Sequence, residues 1–292
     1  MFSLLDKRFT DILVQPARKR NEYSAFCSMV DSADIPEHYK VIFFGDRGYT
    51  SYNNFAHVIE KGQYFLIRCN DKRASGMMGY PVDTLPAFDE DISLILTRSK
   101  AVSKYSRPEL FSSYRYIYQN APMDYLNDQR TEYDLALRLL RIQLDDGFYE
   151  NIATNLPEEE FKAEDFKALY HLRWQEENSF RDLKYNIGLR YFHSIKQELI
   201  LQEIYAKLIA YNFCRLVAEA ASVGKQKNEK RKYCYKINFT ILVKICFEFL
   251  KCSADQMINV GGLLQKNLIP IRPNRNSPRY LGARTAASFE YR

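Results

Sequence analysis

A short segment beginning at Tyr170 places a phenol, guanidinium groups, a carboxylate and an amine at spacings that favour one helix face. Measured from Tyr170 in a helix of about 100° per residue, Arg173 lies at roughly 300°. Glu177 and Lys184 lie at roughly 340° and 320°, and Arg181 at about 20°. Arginine grips phosphate oxygens bidentately, so this face suits holding a phosphate beside a metal-binding carboxylate. The alternative is a solvated helix face whose ion pairs each contribute about 0.2–0.5 kcal/mol.

The same residues follow the spacing Y-x-x-R-x-x-x-E-x-x-x-x-x-x-K without a gap. This spacing resembles the signature of bacterial insertion-sequence transposases of the DDE type, in the large group known for its Tyr-Arg-Glu-Lys motif. Upstream, the run FFGDRGY at 43–49 is similar to the strand end that carries the second catalytic Asp of these enzymes. Downstream, EIYA at 203–206 and YNFCR at 211–215 resemble the helix after the motif, and PIRPNR at 270–275 resembles the basic tail. The similarity spans nearly the whole chain.

The resemblance implies a role for each matching residue. It implies that Asp46 and Glu177 are the catalytic carboxylates and the ligands of Mg²⁺ or Mn²⁺. Paired divalent ions activate the attacking oxygen and neutralise charge on the phosphate during such strand cleavage. The residues expected to contact DNA are Tyr170, Arg173, Trp174, Arg181 and Lys184. The implied partners are double-stranded DNA, both terminal inverted repeats and target DNA, and a second copy of the chain in an active homodimer.

The chain departs from the family pattern at the first of three acidic residues, which lies on the opening strand of the catalytic sheet. Only 45 residues precede Asp46, and residues 2–25 resemble the second and third strands and the following helix of these enzymes. Asp6 and Asp11 are the nearest acids; neither falls at the expected position, and Asp11 is the one considered as a substitute. Two carboxylates leave a metal site under-ligated. We therefore expect an amino-terminally truncated and catalytically defective transposase.

Two other functions stay open at this stage. A non-catalytic DNA-binding remnant would use the cationic residues and dispense with Glu177. A nuclease on the same scaffold would cut DNA without joining it. From Lys225 onward the chain has 14 Lys or Arg against 4 Asp or Glu, whereas the preceding residues are mildly acidic. Such a cationic region favours polyanion binding, because neutralising phosphates releases counterions; a role in solubility alone is the alternative.

Composition limits the class of protein further. An apolar fraction of 46% is enough for a packed core. No run approaches the roughly 18–20 apolar residues of a membrane span, and no signal pattern opens the chain. We therefore expect a cytoplasmic, nucleoid-associated protein without a membrane partner. The six cysteines contain no C-x-x-C pair, and the four histidines lack metal-ligand spacing, so buried or incidental thiols are expected.

The expected fold class is α/β. The resemblance implies a ribonuclease H-like core, incomplete because its first strand is missing, with a β-rich insertion and a helical, basic C-terminal region. The domains expected are the first part of the core at 1–70, the insertion at 71–157, the helical second part of the core at 158–222, and the basic region at 223–292. An apolar run ending at Gly45 predicts that Asp46 emerges at the carboxyl end of a buried strand, where open α/β sheets bind ligands.

Composition and periodicity also predict individual elements. The predicted strands are 10–15, 39–44, 64–68, 92–96, 114–118, 135–144 and 148–154. The predicted helices are 21–29, 51–60, 197–222 and 239–250, besides those that carry the motif. The run Asp145-Asp146-Gly147 predicts a hairpin turn, 224–232 a charged linker, and the last twenty residues an irregular tail.

Overall fold

The computed structural model describes residues 1–100, 113–144, 147–221, 233–253, 256, 258–272 and 290–291. Within them the chain divides into two compact units. The sheet unit comprises residues 12–173, and the helical unit comprises residues 1–11 and 174–292. The predicted linker at 224–232 and the first two residues of the predicted hairpin turn lie outside the described residues. The four-part domain assignment stays a prediction.

Strands and helices are numbered in chain order. The strands are β1 (Phe2–Ser3), β2 (Arg8–Phe9), β3 (Ile42–Gly45), β4 (Tyr64–Cys69), β5 (Phe88–Thr97), β6 (Tyr114–Tyr116), β7 (Glu132–Gln143), β8 (Tyr149–Thr154), β9 (Tyr191–Phe192), β10 (Cys234–Ile237), β11 (Leu268–Ile271) and β12 (Glu290–Tyr291). The helices are α1 (Glu22–Ser32), α2 (Tyr52–Glu60), α3 (Asp71–Met78), α4 (Asp165–Leu172), α5 (Trp174–Tyr185), α6 (Gln197–Ala220), α7 (Phe239–Lys251) and α8 (Val260–Lys266). This mixture confirms the α/β class.

The sheet unit is built on one six-stranded mixed sheet in the order β3-β4-β8-β7-β5-β6. Strands β3 and β4 are parallel and are joined by α2, as the sequence predicts for a strand-helix-strand unit. The strands of the predicted β-rich insertion continue this sheet, because β8 pairs antiparallel with β4. The β7–β8 hairpin is confirmed, with Gln143 opposite Tyr149.

Helices cover β4 on both faces, which explains its nearly unbroken apolar sequence. On one face, the ring of Phe65 stacks on Phe55 of α2 with centroids 4.6 Å apart. On the other face, Leu66 packs in a buried cluster with Phe166 and Tyr170 of α4. Side chains alternate along a strand, so residue 68 shares the second face with Leu66.

Several helices begin at an asparagine that caps free backbone N–H groups. The side chain of Asn21 accepts a hydrogen bond from the backbone N–H of Ser24 at 3.1 Å, and Asn70 accepts one from Arg73 at 2.8 Å. Asn238 and Asn259 cap α7 and α8 in the same way. The caps fix helix starts within one residue of the predicted starts of α1 and α7.

The strand predicted at 10–15 is wrong. The hairpin in which β1 pairs with β2 lies just before it, and residues 10–15 themselves, all within the described part of the chain, form no strand. A β-type composition is insufficient there because a strand needs a neighbouring strand to satisfy its backbone groups. From Ile12 onward the chain belongs to the sheet unit. Helix α3 was not predicted, and the predicted strand at 39–44 begins only at Ile42.

The helical unit centres on the long helix α6. Asn212 of α6 donates its side-chain amide to the carbonyl of Phe9 at 2.7 Å and accepts from the backbone N–H of Phe9 at 2.9 Å. The ring of Phe9 also packs edge-on against Tyr211 at 5.1 Å. These contacts attach the β1–β2 hairpin to α6. All six cysteines are free, and four of them are buried, as expected for incidental thiols.

At the end of the chain, Glu290–Tyr291 forms the short strand β12, parallel to β9, so the prediction of a wholly irregular tail is wrong at these two residues. The rest of the tail from residue 273 lies outside the described part of the chain. None of the described helices has both the length and the apolar composition that crossing a membrane requires.

Candidate functional site

The carboxyl end of β3 positions Asp46, as the sequence predicts. Gly45 is tightly packed: a Cβ atom there would lie 3.0 Å from Ile67 Cγ1 and 3.2 Å from Tyr49 Cβ. Asp46 then starts a single 3-10 turn, and its Oδ1 accepts a hydrogen bond from the backbone N–H of Arg47 at 2.8 Å. The Asp46 side chain is 55% exposed. It is therefore fixed at its base and open to a ligand.

Three ionisable side chains form a row across neighbouring strands on the face that α4 covers. Gly45 pairs with Ile67, which puts Asp46 beside Arg68. Arg68 pairs with Ile152 of β8, and Glu150, two residues earlier, shares its face. Arg68 Nη1 lies 4.0 Å from Asp46 Oδ1, and Arg68 Nε contacts Glu150 Oε2. The register thus places one guanidinium between two carboxylates.

Glu150 is a largely buried carboxylate, with its side chain 11% exposed. Burial raises the pKa of Glu150, the Arg68 and Arg173 guanidinium groups oppose this rise, and Asp46 adds to it; the net shift is upward. Arg47 Nη2 lies 4.0 Å from Glu150 Oε1. Cationic groups therefore surround the Glu150 carboxylate, which is too deeply buried to form an ordinary surface ion pair.

Tyr170 of α4 forms the wall of this cluster. Its ring belongs to the buried core, with 8% of the residue exposed. The Arg68 guanidinium lies 5.9 Å from the ring centroid, and the Arg173 guanidinium lies 5.3 Å from it. Burial raises the pKa of Tyr170, so the phenol stays protonated at neutral pH. Tyr170 is thus placed to hold two guanidinium groups through cation–π contacts.

The helix that carries the motif is interrupted. Helix α4 ends at Leu172, and the backbone N–H of Arg173 donates to the carbonyl of Tyr170, three residues back, at 3.1 Å. This tighter turn ends α4, and α5 starts at Trp174. The motif residues therefore lie on two consecutive helices, with Arg173 at the turn between them. The side chain of Trp174, predicted to contact DNA, lies outside the described part of the structure.

Helix α5 carries the remaining predicted residues on one exposed face. Glu177, Arg181 and Lys184 are exposed, whereas Ser179 and Leu183 on other faces are buried. Positions four and seven residues apart share a helix face. Within α5 three residues of the predicted row thus share one face, as an acid followed by two cations.

The predicted site residues fall in both units. Asp46, Tyr170 and Arg173 lie in the sheet unit, and Glu177, Arg181 and Lys184 lie in the helical unit. Among the described residues, no group of three or more His, Cys, Asp or Glu side chains is close enough to form a metal site by itself. Mg²⁺ is commonly held by one or two carboxylates, with water and substrate phosphates as the other ligands. The exposed carboxylate of Asp46 suits that kind of coordination.

Sequence reasoning missed Arg68 and Glu150. Arg68 could have been found, because a parallel strand-helix-strand unit brings the carboxyl ends of its two strands to one edge. Glu150 gives no comparable signal, since its position depends on the pairing of β8 with β4, which is distant in sequence. A single Glu in a β-type run predicts only an exposed strand position.

A family model for the transposase DDE domain matches residues 1–213, most of the chain. No curated protein matches the sequence. The family match places the protein in the class of transposases. Specifically, the chain belongs to the DDE transposase domain family.

Proposed function

We propose that this chain is an insertion-sequence transposase of the Tyr-Arg-Glu-Lys group that acts on double-stranded DNA. Its site would take terminal inverted repeats and target DNA, and its core would be ribonuclease H-like. The observation that carries the proposal is the exposed Asp46 carboxylate at the end of β3, with the Arg68 guanidinium 4.0 Å away. A carboxylate next to guanidinium groups matches a metal-bridged phosphate better than it matches an organic substrate.

Each predicted residue has a proposed role. Asp46 and Glu177 would hold Mg²⁺ or Mn²⁺, which would supply Lewis-acid stabilisation of the phosphate and activation of the attacking oxygen. Arg181 and Lys184 would bind the DNA backbone from the exposed face of α5. Arg173 would act with Tyr170, whose buried ring fixes the guanidinium. Trp174 would assist binding at the strand end.

The basic region after Lys225 would add sequence-independent affinity for DNA. Active transposition would require a homodimer, so that two element ends are cut together, and would take place on the nucleoid in the cytoplasm. Only two carboxylates of this chain are assigned to the metal site. Weak or absent cleavage, as expected of a metal site with only two assigned carboxylates, stays a prediction.

The test is cleavage of duplex DNA that carries the terminal repeats of the element. Wild type, Asp46→Asn and Glu177→Gln would be compared with Mg²⁺, with Mn²⁺ and with a chelator, and DNA binding would be measured in parallel. Binding without cleavage is the expected result and supports a defective transposase. Metal-dependent cleavage that both substitutions abolish would support the transposase site and show that it is complete.

Two results separate the alternatives. Cleavage without joining of precut ends would identify a nuclease. In a protein without cleavage, a defective transposase should bind DNA more tightly when metal lies between its carboxylates and the phosphate. Binding that neither Mg²⁺, Mn²⁺ nor Glu177→Gln changes would instead identify a DNA-binding remnant. Failure of the wild-type protein to bind any duplex would overturn the proposal.

A further inference from the structure

Arg68 is held on three sides in the sheet unit. Its Nε contacts Glu150, its Nη1 lies 4.0 Å from Asp46 Oδ1, and its guanidinium lies 5.9 Å from the centroid of the Tyr170 ring. The side chain is 16% exposed. Such fixing reduces the entropy that an arginine loses when it binds a ligand, because the guanidinium is already oriented.

The fixed guanidinium keeps donor capacity toward Asp46. A separation of 4.0 Å between Arg68 Nη1 and Asp46 Oδ1 is longer than a hydrogen bond, so the two groups attract each other without sharing a proton. A guanidinium has five N–H donors, and Glu150 engages the Nε end. The donors of the outer edge therefore face the side of the cluster on which the exposed carboxylate lies.

Cationic groups gather around one buried carboxylate in this cluster. Three guanidinium groups, those of Arg47, Arg68 and Arg173, act on Glu150. A phosphodiester carries a single negative charge and two free oxygens, which matches the planar donor edge of an arginine.

We propose that Arg68, held by Glu150 and Tyr170 beside Asp46, binds one backbone phosphate of the DNA strand. Arg68 contacts the ligand directly, and Glu150 is a positioning residue that acts through Arg68. The inference rests on the proposed function, because it deepens the same site by naming a phosphate subsite. It does not depend on metal or on cleavage.

The test is the salt dependence of DNA binding by the full chain in a chelator. Fluorescence anisotropy with a short labelled duplex of mixed sequence gives log Kd against log salt concentration. Loss of one phosphate contact lowers the slope by about 0.9. Arg68→Ala should show that decrease together with a roughly tenfold loss of affinity.

Arg130→Ala is the matched control. Arg130 also pairs with a glutamate, Glu60, at 3.0 Å and lies over a tyrosine, Tyr133, at 4.3 Å. It makes neither of the ion pairs that join Arg68 to Asp46 and Glu150. The control should keep the wild-type slope, and an equal decrease in both variants would overturn the subsite.

Arg68→Ala leaves Glu150 buried without its partner, so folding must be controlled. The double variant Arg68→Met with Glu150→Gln removes both charges and keeps similar volumes; it should show the same decrease in slope. If this variant folds and binds with the wild-type slope, the proposal is wrong. For the positioning role, Arg68→Met should cost clearly less affinity in a Glu150→Gln background than in wild type. Equal costs would overturn the role of Glu150.

Inorganic phosphate separates a nucleic-acid subsite from a site for the free ion. The DNA contact is supported if inorganic phosphate weakens DNA binding only as much as any salt of equal ionic strength does. Arg68→Ala should still show the decrease in the slope of log Kd against log salt concentration. Saturable competition by phosphate that Arg68→Ala abolishes, with the DNA slope unchanged, would overturn it. A wild type that binds DNA but does not cleave it removes the catalytic part of the proposed function and leaves this test intact.

Discussion

Asp46 and Arg68 lie side by side at the carboxyl ends of the parallel strands β3 and β4, with 4.0 Å between Asp46 Oδ1 and Arg68 Nη1. The Asp46 carboxylate and the Arg68 guanidinium have opposite effects on DNA binding. The guanidinium attracts a backbone phosphate, whereas the carboxylate repels it unless a divalent cation lies between them. The pair therefore links phosphate binding to metal binding.

Replacing the Asp46 carboxylate should strengthen DNA binding in the absence of metal. Asp46→Asn keeps a side-chain oxygen that can accept from the Arg47 backbone N–H, and it removes one negative charge. A repulsion of about 1 kcal/mol, typical of unit charges about 4 Å apart in water, corresponds to a roughly fivefold change in Kd. Anisotropy in a chelator measures it. Asp91→Asn, an exposed acid on β5, is the control, and weaker binding by Asp46→Asn would contradict the arrangement.

The ring of Tyr170, more than its hydroxyl, should matter for DNA affinity. Tyr170→Phe keeps the face on which the guanidinium groups of Arg68 and Arg173 lie, and it should bind DNA like the wild type. Tyr170→Leu removes that face and should lower affinity by roughly 1 kcal/mol, a typical cation–π contribution. Both are compared at equal folded fractions, checked by thermal unfolding. Equal binding by the Leu and Phe variants would exclude this role.

His57 should make the stability of the sheet unit depend on pH. Its Nδ1 lies 2.8 Å from Asp31 Oδ1 and its Nε2 lies 2.9 Å from Asp124 Oδ2, so both nitrogens donate when the ring is protonated. Burial lowers the pKa of His57, but the two carboxylates outweigh burial, and the net pKa is raised above 6.5. The stabilisation is complete below 6.5 and is lost as pH rises through the folded pKa.

At the acidic end of the pH range, Asp124 makes stability depend on pH in the opposite direction. Asn53 and His57 lower the pKa of Asp124 below 3.8, so this contribution is present above 3.8 and is lost as pH falls through the folded pKa. Urea unfolding across this range should show a plateau. His57→Gln should lower the unfolding free energy by about 1–3 kcal/mol on the plateau and remove the alkaline decline. An alkaline decline that persists in the variant would show that another group causes it.

The buried pair Arg138–Asp89 should contribute more to stability than an exposed pair. Arg138 Nε donates to Asp89 Oδ1 at 2.6 Å, and Arg138 Nη1 donates to the carbonyl of Phe161 at 2.7 Å. Asp89→Asn leaves a guanidinium buried without its counter-charge and should cost about 3–5 kcal/mol. Glu60→Gln, which breaks the exposed pair with Arg130, should cost less than about 1 kcal/mol. Chemical unfolding compares them, and similar costs would contradict the prediction.

Local sequence signals predicted much of this protein. Asparagine caps and apolar periodicity located α1 and α7, and the β-type runs located most strands of the large sheet. The apolar run before Gly45 placed Asp46 at a strand end, and the motif spacing led to the family. These signals depend on neighbours in sequence, which is why they can be recovered without the fold.

The same signals failed where a partner had to come from elsewhere in the chain. The run at 10–15 has a strand-like composition, yet among the described residues it pairs with no strand. Glu150 stands 82 positions after Arg68, and only the antiparallel pairing of β8 with β4 brings their side chains into contact.

By itself, then, the sequence determined most of the elements, the acid at the end of β3 and the family of the protein. The tertiary structure alone decided that Arg68 would be held between Asp46 and Glu150 and that Tyr170 would support it from the core. The reason is physical: caps and periodicity act over a few residues, whereas the environment of a charge is set by the register of strands that meet only after folding.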